Sequence, residues 1–358
     1  MPESNQTSRE ITYAQAINEA THQAMAADPS VICFGLGVTD PGAVFGTTRG
    51  LEETFGSDRV FDGPTSENAM TGVAVGAALA GLKPIMTHQR LDFFLLAMDQ
   101  LVNSAAKWHY MFGGQFTVPL TIRLVIGRGW GQGPTHSQNL HAWFAHIPGL
   151  KVVMPSTPKD AKELILASIS DPNPVIFLEP RWLHNVTEHV SEDLIPGLIG
   201  KARVARSGGD VTIVASGYLT LEAIRASDYL SSRGVHCEVI DLRTLSPLDW
   251  PTIYESVRKT GRLISVDSGA FTGSIAGEVV ARVASEEFSS LKIAPLRLAQ
   301  ADIPEPTSFG LTGGFHVTAM EIAGNVLKMM DRPVENLSKE LPPSIPHDVP
   351  GDWFNGPF

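Results

Sequence analysis

The chain has 358 residues, of which 43% are hydrophobic and 18% are charged, and its formal net charge is −11. This length suggests about two domains, the composition excludes a mainly disordered chain, and the negative charge argues against a nucleic-acid binder that depends on phosphate contacts. We expect a cytoplasmic protein, because no run reaches the roughly 18 apolar residues of a membrane-spanning helix and the polar start MPESNQTSRE has neither signal- nor transit-peptide character.

Short apolar strands alternate with helices through the first half of the chain. Thr157 is a suitable helix cap, with Pro158 in the first turn, and Ser66 is a plausible N-cap of a helix rich in Ala and Gly. This alternation is typical of βαβ units around a buried parallel sheet. A helix is predicted before the first strand, strands at 31–38, 84–89, 120–127, 150–155 and 174–179, and further helices at 66–82, 92–112 and 158–170.

The stretch 181–209 interrupts this alternation with Pro, Gly and His residues, and it predicts a linker. The pattern then resumes, so we place a domain boundary near residue 195. The prediction is a larger domain over 1–195, a smaller α/β domain over 196–335 and an extended tail over 336–358. Strands are predicted at 210–217, 236–245, 262–269 and 292–299, with helices at about 219–233, 248–259 and 273–289 between them.

Familiar cofactor and metal motifs are absent from the sequence. No complete dinucleotide-binding fingerprint, P-loop, G-x-S-x-G elbow or C-x-x-C pair occurs. Cys33 and Cys237 each lie in an apolar, strand-like run, which favours buried thiols over a disulfide or a catalytic cysteine.

The segment D-G-P-T-S-E-N (62–68) places Glu67 in the first turn of an apolar helix. A carboxylate there complements the helix dipole or, if it faces an apolar cavity, donates or accepts a proton. In the segment 91–100, Asp92 and Phe93 begin a helix, and the aromatic ring either packs in the core or stacks on a ligand ring.

The glycine-rich segment G-R-G-W-G-Q-G-P-T-H-S-Q (127–138) follows a strand and ends near His136. Loops at the carboxyl ends of parallel strands are common sites in α/β proteins. His141 and His146 follow at spacings of five, which does not align them on one helical face, so the pattern argues against a metal site. A single acid–base or anion-pairing histidine and an ordinary loop histidine both remain open.

Long segments of the chain, between about residues 10 and 330, resemble the beta subunits of the thiamin-diphosphate-dependent decarboxylase of 2-oxo acid dehydrogenase complexes. The resemblance implies an α/β fold, with a transketolase-like pyrimidine-binding domain around a parallel sheet and then a smaller transketolase C-terminal α/β domain. The segments that carry it are RVFDGPTSENAMTGVAVGAALAGLKPI, AMDQLVNSAAKWHYMFGGQFTVPLTIR, HSQNLHAWFAHIPGLKVVMPSTPKDAKELILASISDPNPVIFLEP and the DIPEP segment at 302–306.

The resemblance also implies roles for single residues. Glu67 matches the glutamate that bonds the aminopyrimidine ring of the cofactor, and Phe93 matches the aromatic residue that packs against that ring. His136 matches the histidine that assists carbonyl addition or acyl transfer, while Leu36 and Asp92 lie at positions near the cofactor. The residues that match a potassium site of some members are Leu120, Ser168, Ile169, Asp171 and Asn173.

The family holds the diphosphate and its magnesium through a G-D-G…N motif on an alpha subunit, and this chain has no such motif. The resemblance therefore implies a thiamin diphosphate site shared with an alpha partner in an alpha2beta2 assembly. The implied reaction is oxidative decarboxylation of a 2-oxo acid, with acyl transfer to the lipoamide of a lipoyl acyltransferase. The alternative is a transketolase-like or acyloin-forming two-subunit enzyme. A non-catalytic scaffold is disfavoured, because it has no need of Glu67, Phe93 and His136.

Three stretches depart from the family pattern. Gly35–Val38 reads G-L-G-V where an acidic G-E-[ED]-V is common, and His88 and Arg90 add positive charge in a stretch where an acid is common. Arg128, Trp130 and Gln132 add a cation and bulk near the glycine-rich loop. These changes predict an anionic substrate, or an acceptor other than lipoamide.

Overall fold

The computed structural model describes residues 8–127, 131–334, 337–341 and 349. Arg128, Trp130 and most of the predicted tail therefore lie outside the described residues. The chain divides into two units: one comprises the residues up to Ile126 together with Trp143–Ile199, and the other comprises Gly127–Ala142 and the residues from Gly200 onward. Within the described ranges, no helix is long and apolar enough to cross a membrane.

The first unit is built on a parallel sheet. The strands along the first 199 residues are β1 (Ser8–Thr12), β2 (Val31–Gly35), β3 (Val60–Asp62), β4 (Lys83–His88), β5 (Thr121–Ile126), β6 (Lys151–Val153), β7 (Val175–Pro180) and β8 (Thr187–Ser191). The helices are α1 (Tyr13–Ala27), α2 (Leu51–Phe55), α3 (Glu67–Leu79), α4 (Leu91–Phe94), α5 (Ala106–Met111), α6 (His141–Ala145) and α7 (Pro158–Ser170). Strands β2 to β7 are parallel in the order β6-β7-β5-β4-β2-β3, and β1 pairs with β8 in a separate antiparallel ladder.

The second unit has a smaller sheet in the order β14-β13-β10-β11-β9, in which only β9 is antiparallel to its neighbour. Its core joins α8 and α12 to the sheet through Leu230, Ile322 and Val239. The strands are β9 (Arg203–Arg206), β10 (Val211–Ala215), β11 (Cys237–Asp241), β12 (Thr244–Ser246), β13 (Leu263–Ala270) and β14 (Leu296–Gln300). The helices are α8 (Tyr218–Ser231), α9 (Trp250–Thr260), α10 (Ile275–Glu286), α11 (Phe309–Thr312), α12 (Ala319–Met329) and α13 (Leu337–Glu340).

The predicted α/β class with parallel sheets is confirmed, and several local predictions are too. Thr157 caps α7 by accepting a hydrogen bond from the Asp160 N–H, with Pro158 in the first turn. Cys33 and Cys237 are free and buried, and burial raises the pKa of these thiols to about 11 and about 12.

One local prediction is confirmed only in position, and two are wrong. Ser66 occupies the N-cap position of α3, but its side chain makes no cap hydrogen bond. The single helix predicted at 92–112 is divided into α4, a 3₁₀ turn, a π-helix and α5. The predicted linker 181–209 contains two strands, β8 and β9. They form because β8 pairs with β1 and β9 pairs with β11, and both partners are distant in the sequence.

Candidate active site

The carboxyl ends of β4, β2 and β3 lie side by side in the first unit, because these parallel strands are consecutive in the sheet. Leu36 follows β2 directly, and its N–H donates to the carbonyl oxygen of Thr87 on β4 at 3.2 Å. Glu67 begins the helix after β3, and Asp92 and Phe93 lie in the helix after β4. The topology thus brings the four predicted cofactor-binding residues to one edge of the sheet, the usual place for sites in parallel α/β folds.

Glu67 is a buried carboxylate at the first position of α3, with 7% of the residue exposed. Among the described residues, no side chain or N–H donates a hydrogen bond to this carboxylate, and no cation pairs with it. Buried carboxylates ordinarily have hydrogen-bond partners, so the position suits a ligand that brings its own N–H group.

The two neighbouring phenylalanines of α4 have opposite environments. Phe94 is fully buried, whereas Phe93 is 37% exposed. Phe93 is therefore no core residue, and its ring can take part in stacking against a flat ligand.

Asp62 is a residue of this edge to which the sequence assigned no role. Its carboxylate accepts hydrogen bonds from the Val38 N–H at 2.8 Å, from the Thr39 N–H at 3.1 Å and from the Thr39 hydroxyl at 2.5 Å. These bonds fix the turn that follows Leu36. The only sequence signal was the position of Asp62, at the end of the strand that leads into D-G-P-T-S-E-N.

His88 does not supply the positive charge that the sequence suggested. The imidazole is 1% exposed and packs edge-on against Phe94, with ring centroids 5.0 Å apart. Burial lowers the pKa of His88 to about 4, so it is neutral at pH 7. Arg90 is the remaining cation of the pair, and burial lowers its pKa as well.

His136 belongs to the second unit, in the segment that follows Gly127. The side chain is partly buried, and its Nδ1 lies 2.9 Å from the hydroxyl oxygen of Thr135. Gln132 lies in the same segment. It is the one of the three residues Arg128, Trp130 and Gln132 that the structure describes.

His141 makes a contact that the sequence did not indicate. Its Nε2 lies 2.7 Å from Oδ1 of Asp267, and both side chains are buried. Burial alone would raise the pKa of Asp267, but the charge and hydrogen bond of His141, with the N–H groups of Gly269 and Ala276, lower it. His141 thus pairs with an ionised carboxylate.

The five residues that match a potassium site surround the turn between α7 and β7 in the first unit. The Leu120 carbonyl accepts from the Val175 N–H at 2.9 Å, and Asp171 Oδ1 accepts from the Asn173 N–H at 2.9 Å. The Lys151 ammonium pairs with the other oxygen of Asp171. The side-chain oxygen of Asn173 is buried and has no hydrogen-bond partner among the residues that the structure describes. Around the same turn, Ser168 and Ile169 are buried near the end of α7.

A search of residues 8–127, 131–334, 337–341 and 349 finds no group of three or more His, Cys, Asp or Glu side chains that could hold a metal ion. This search does not cover the residues that match a potassium site, because carbonyl and amide oxygens are among their possible ligands.

Comparison with known families matches the transketolase pyrimidine-binding domain to residues 9–186 and the transketolase C-terminal domain to residues 200–322. The chain is 41% identical over 307 residues to the pyruvate dehydrogenase E1 component subunit beta-1, mitochondrial, of Arabidopsis thaliana, which covers 85% of each chain. It is 40% identical over 332 residues to the beta subunit of acetoin:2,6-dichlorophenolindophenol oxidoreductase of Cupriavidus necator, covering 90% of this chain and 98% of the relative.

Among solved structures, a split-gene transketolase described as an inactive beta4 tetramer superimposes with a TM-score of 0.73 at 23% identity. The match covers 90% of this chain and 98% of that chain. At this identity, the likeness shows the fold alone.

Proposed function

The chain belongs to the family of thiamin-diphosphate-dependent 2-oxo acid dehydrogenase beta subunits of the pyruvate and acetoin type, and from that premise we propose that it forms the pyrimidine half of a decarboxylating active site. The observation that carries the proposal is Glu67, a buried carboxylate without a partner among the described residues, at the carboxyl edge of the sheet. When bound, thiamin diphosphate supplies the carbon nucleophile and the electron sink for loss of carbon dioxide from a 2-oxo acid.

Glu67 and Phe93 fit the aminopyrimidine ring of that cofactor. The Glu67 carboxylate would hold a proton shared with a ring nitrogen, which favours the imino form of the exocyclic nitrogen. The exposed ring of Phe93 would pack against the flat face of the pyrimidine and orient it. Leu36 and Asp92 lie after neighbouring strands at the same edge and would complete the wall around the ring.

His136 is the proposed acid–base group on the substrate side. A histidine is well suited to this task, because its ordinary pKa lies close to neutral pH. It would donate a proton to the carbonyl oxygen of the 2-oxo acid, and it would assist acyl transfer to lipoamide.

An alpha subunit is the proposed partner, in an alpha2beta2 assembly, and would hold the diphosphate and magnesium. The absence of a G-D-G…N motif from the sequence supports this division. A group of large apolar side chains on the first unit is also exposed, as expected of a surface that a partner covers. Its members are Leu96, Tyr110, Met111, Phe112 and Phe116.

A potassium ion is the proposed occupant of the turn between α7 and β7. The oxygen of Asn173, buried and without a partner in the described part of the chain, and the carboxylate of Asp171, which Lys151 also contacts, are the hard ligands that such an ion prefers. If the ion binds there, thermal unfolding in potassium chloride should occur at a higher temperature than in choline chloride at equal ionic strength. Equal unfolding temperatures in both salts would remove the ion from the proposal.

The function is tested by co-expressing the chain with an alpha-type chain and assaying the complex on a panel of 2-oxo acids. One arm uses an artificial electron acceptor or a lipoyl domain, and the other uses aldehyde acceptors. We expect reduction of the electron acceptor. Carbon–carbon bond formation with aldehydes alone would favour a transketolase-like or acyloin-forming enzyme instead.

The role of Glu67 is tested with Glu67→Gln, which keeps the shape of the side chain but does not hold the proton. We expect hydrogen–deuterium exchange at the thiazolium C2 of bound cofactor to slow about 100-fold or more. Glu278→Gln is a matched control, since Glu278 is an exposed glutamate in the first turn of α10. Equal exchange in both variants would remove Glu67 from the mechanism.

A further inference from the structure

The segment 131–142, called here the His136 segment, contacts the rest of the second unit on both sides of His136. On the amino-terminal side, Gly133 has a φ of 66°, and a Cβ at this position would overlap the Thr307 hydroxyl. On the carboxyl-terminal side, His141 bonds Asp267 at 2.7 Å. His136 thus lies three residues after one contact and five residues before the other.

Asp267 lies in β13, and backbone N–H groups hold both oxygens of its carboxylate. Its Oδ1 accepts from the Gly269 N–H at 2.7 Å, and its Oδ2 accepts from the Ala276 N–H at 3.1 Å, at the start of α10. Both oxygens therefore accept hydrogen bonds from backbone donors, and Oδ1 also contacts His141. A carboxylate fixed in this way defines the position of the imidazole that bonds it.

The His141–Asp267 pair lies beside a close approach of the backbone at Gly269. A Cβ at Gly269 would lie 3.1 Å from the Asn139 carbonyl oxygen and 3.2 Å from Cε1 of His141. The backbone of the His136 segment therefore lies directly against β13. Since His141 and Asp267 are 1% and 2% exposed, water does not compete for their hydrogen bond.

We propose that the His141–Asp267 pair positions the His136 segment, and thereby sets the location of the His136 imidazole for proton transfer. The pair does not touch the substrate, and His141 is a positioning residue. This inference rests on the proposed function, because His136 is the group that is positioned. A short chain between two fixed points has little conformational freedom, since each residue spans at most about 3.6 Å.

The test uses His141→Ala, which removes the bond, and His141→Gln, which retains an N–H donor near the position of Nε2. In the complex with the alpha chain, we expect His141→Ala to lower kcat about 10- to 100-fold, because small displacements of catalytic groups have effects of this size. KM and the shape of the pH profile should change little, and His141→Gln should recover most of the rate. An altered pH profile would instead make His141 a proton-transfer group and overturn the proposal.

A second readout does not depend on activity. Amide hydrogen exchange of the His136 segment should accelerate in His141→Ala and return toward normal in His141→Gln. Ser256→Ala is the matched control, because Ser256 and Thr212 form a buried hydrogen bond at 2.7 Å in the same unit. It should leave the exchange of the His136 segment and kcat unchanged.

The two readouts distinguish the positioning role of His141 from the proposed function of the chain. Faster exchange in a complex that acts on no 2-oxo acid would retain the positioning role and reject the proposed function. Unchanged exchange and unchanged kcat in His141→Ala would reject the positioning role alone. If His141→Ala does not fold, Asp267→Asn carries the same test, because it keeps the volume of the side chain and removes its charge.

Discussion

The most completely buried charges of the first unit are Arg123 and Glu179, which pair across β5 and β7 with no exposed surface. Burial alone would raise the pKa of Glu179, but the charge and hydrogen bonds of Arg123, with His184 Nε2 3.6 Å from the carboxylate, lower it to about 2. Because removing one member leaves the other charge buried and unpaired, Glu179→Gln should destabilise the protein by about 3–5 kcal/mol.

The same pair predicts the acid dependence of stability. A folded-state pKa of about 2, below the ordinary value of 4.5, stabilises the protein above pH 4.5, and this stabilisation is lost as the pH falls toward 2. Urea unfolding measured between pH 6 and about pH 2.5 should show a shallower acid-side decline in Glu179→Gln. Asp228→Asn is the control, since the exposed Arg206–Asp228 pair should contribute less than about 1 kcal/mol. Equal effects of the two variants would contradict the prediction.

At the scale of single elements, the starts of α3 and α7 in the first unit provide a matched comparison. Thr157 accepts a hydrogen bond from the Asp160 N–H at 3.1 Å, whereas Ser66 makes no side-chain cap bond. Thr157→Ala should lower the free energy of unfolding by about 1 kcal/mol, and Ser66→Ala should have almost no effect. Denaturant unfolding of both variants measures this difference, and a larger loss in Ser66→Ala would contradict the assignment of the caps.

Elements that depend on local signals were predictable from the sequence, and elements that depend on distant partners were not. Thr157 and Pro158 predict the start of α7 because the capping signal lies within four residues. The residues of β8 show no such signal, since their strand forms only where Thr187–Ser191 pair with Ser8–Thr12. The π-helix at Gln100–Ala105 was likewise not predicted, because a hydrophobic periodicity of 3.6 residues indicates only an α-helix.

The same division applies to the candidate site. Glu67 and Phe93 were singled out because each lies at the start of a predicted helix, but the sequence alone left their roles open. The resemblance to the family supplied those roles and the position of Leu36 near the cofactor. The His141–Asp267 contact was not found, because it joins residues 126 positions apart and each alone is an ordinary polar residue. The burial that makes His88 neutral was missed because the sequence does not show that its imidazole packs against Phe94.

At the scale of the whole molecule, the central prediction is that this chain alone forms an incomplete site. Calorimetric titration should detect weak or no binding of thiamin diphosphate to the isolated chain and tight binding to the complex with an alpha subunit. The physical reason is that the diphosphate and magnesium ligands are absent from its sequence. Tight binding to the chain alone would show that the shared site is wrong.

The order in which the ribosome produces the chain gives one further consequence of the His141–Asp267 contact. Asp267 is synthesised 126 residues after His141. At about 5–20 residues per second, this is a delay of roughly 6–25 s. During that interval the nascent first unit can complete its sheet, while the emerged stretch around His136 still lacks Asp267 and Thr307. If the His141–Asp267 pair positions His136 as proposed, His136 reaches its native place only after Asp267 has been synthesised, later than the sheet of the first unit can form.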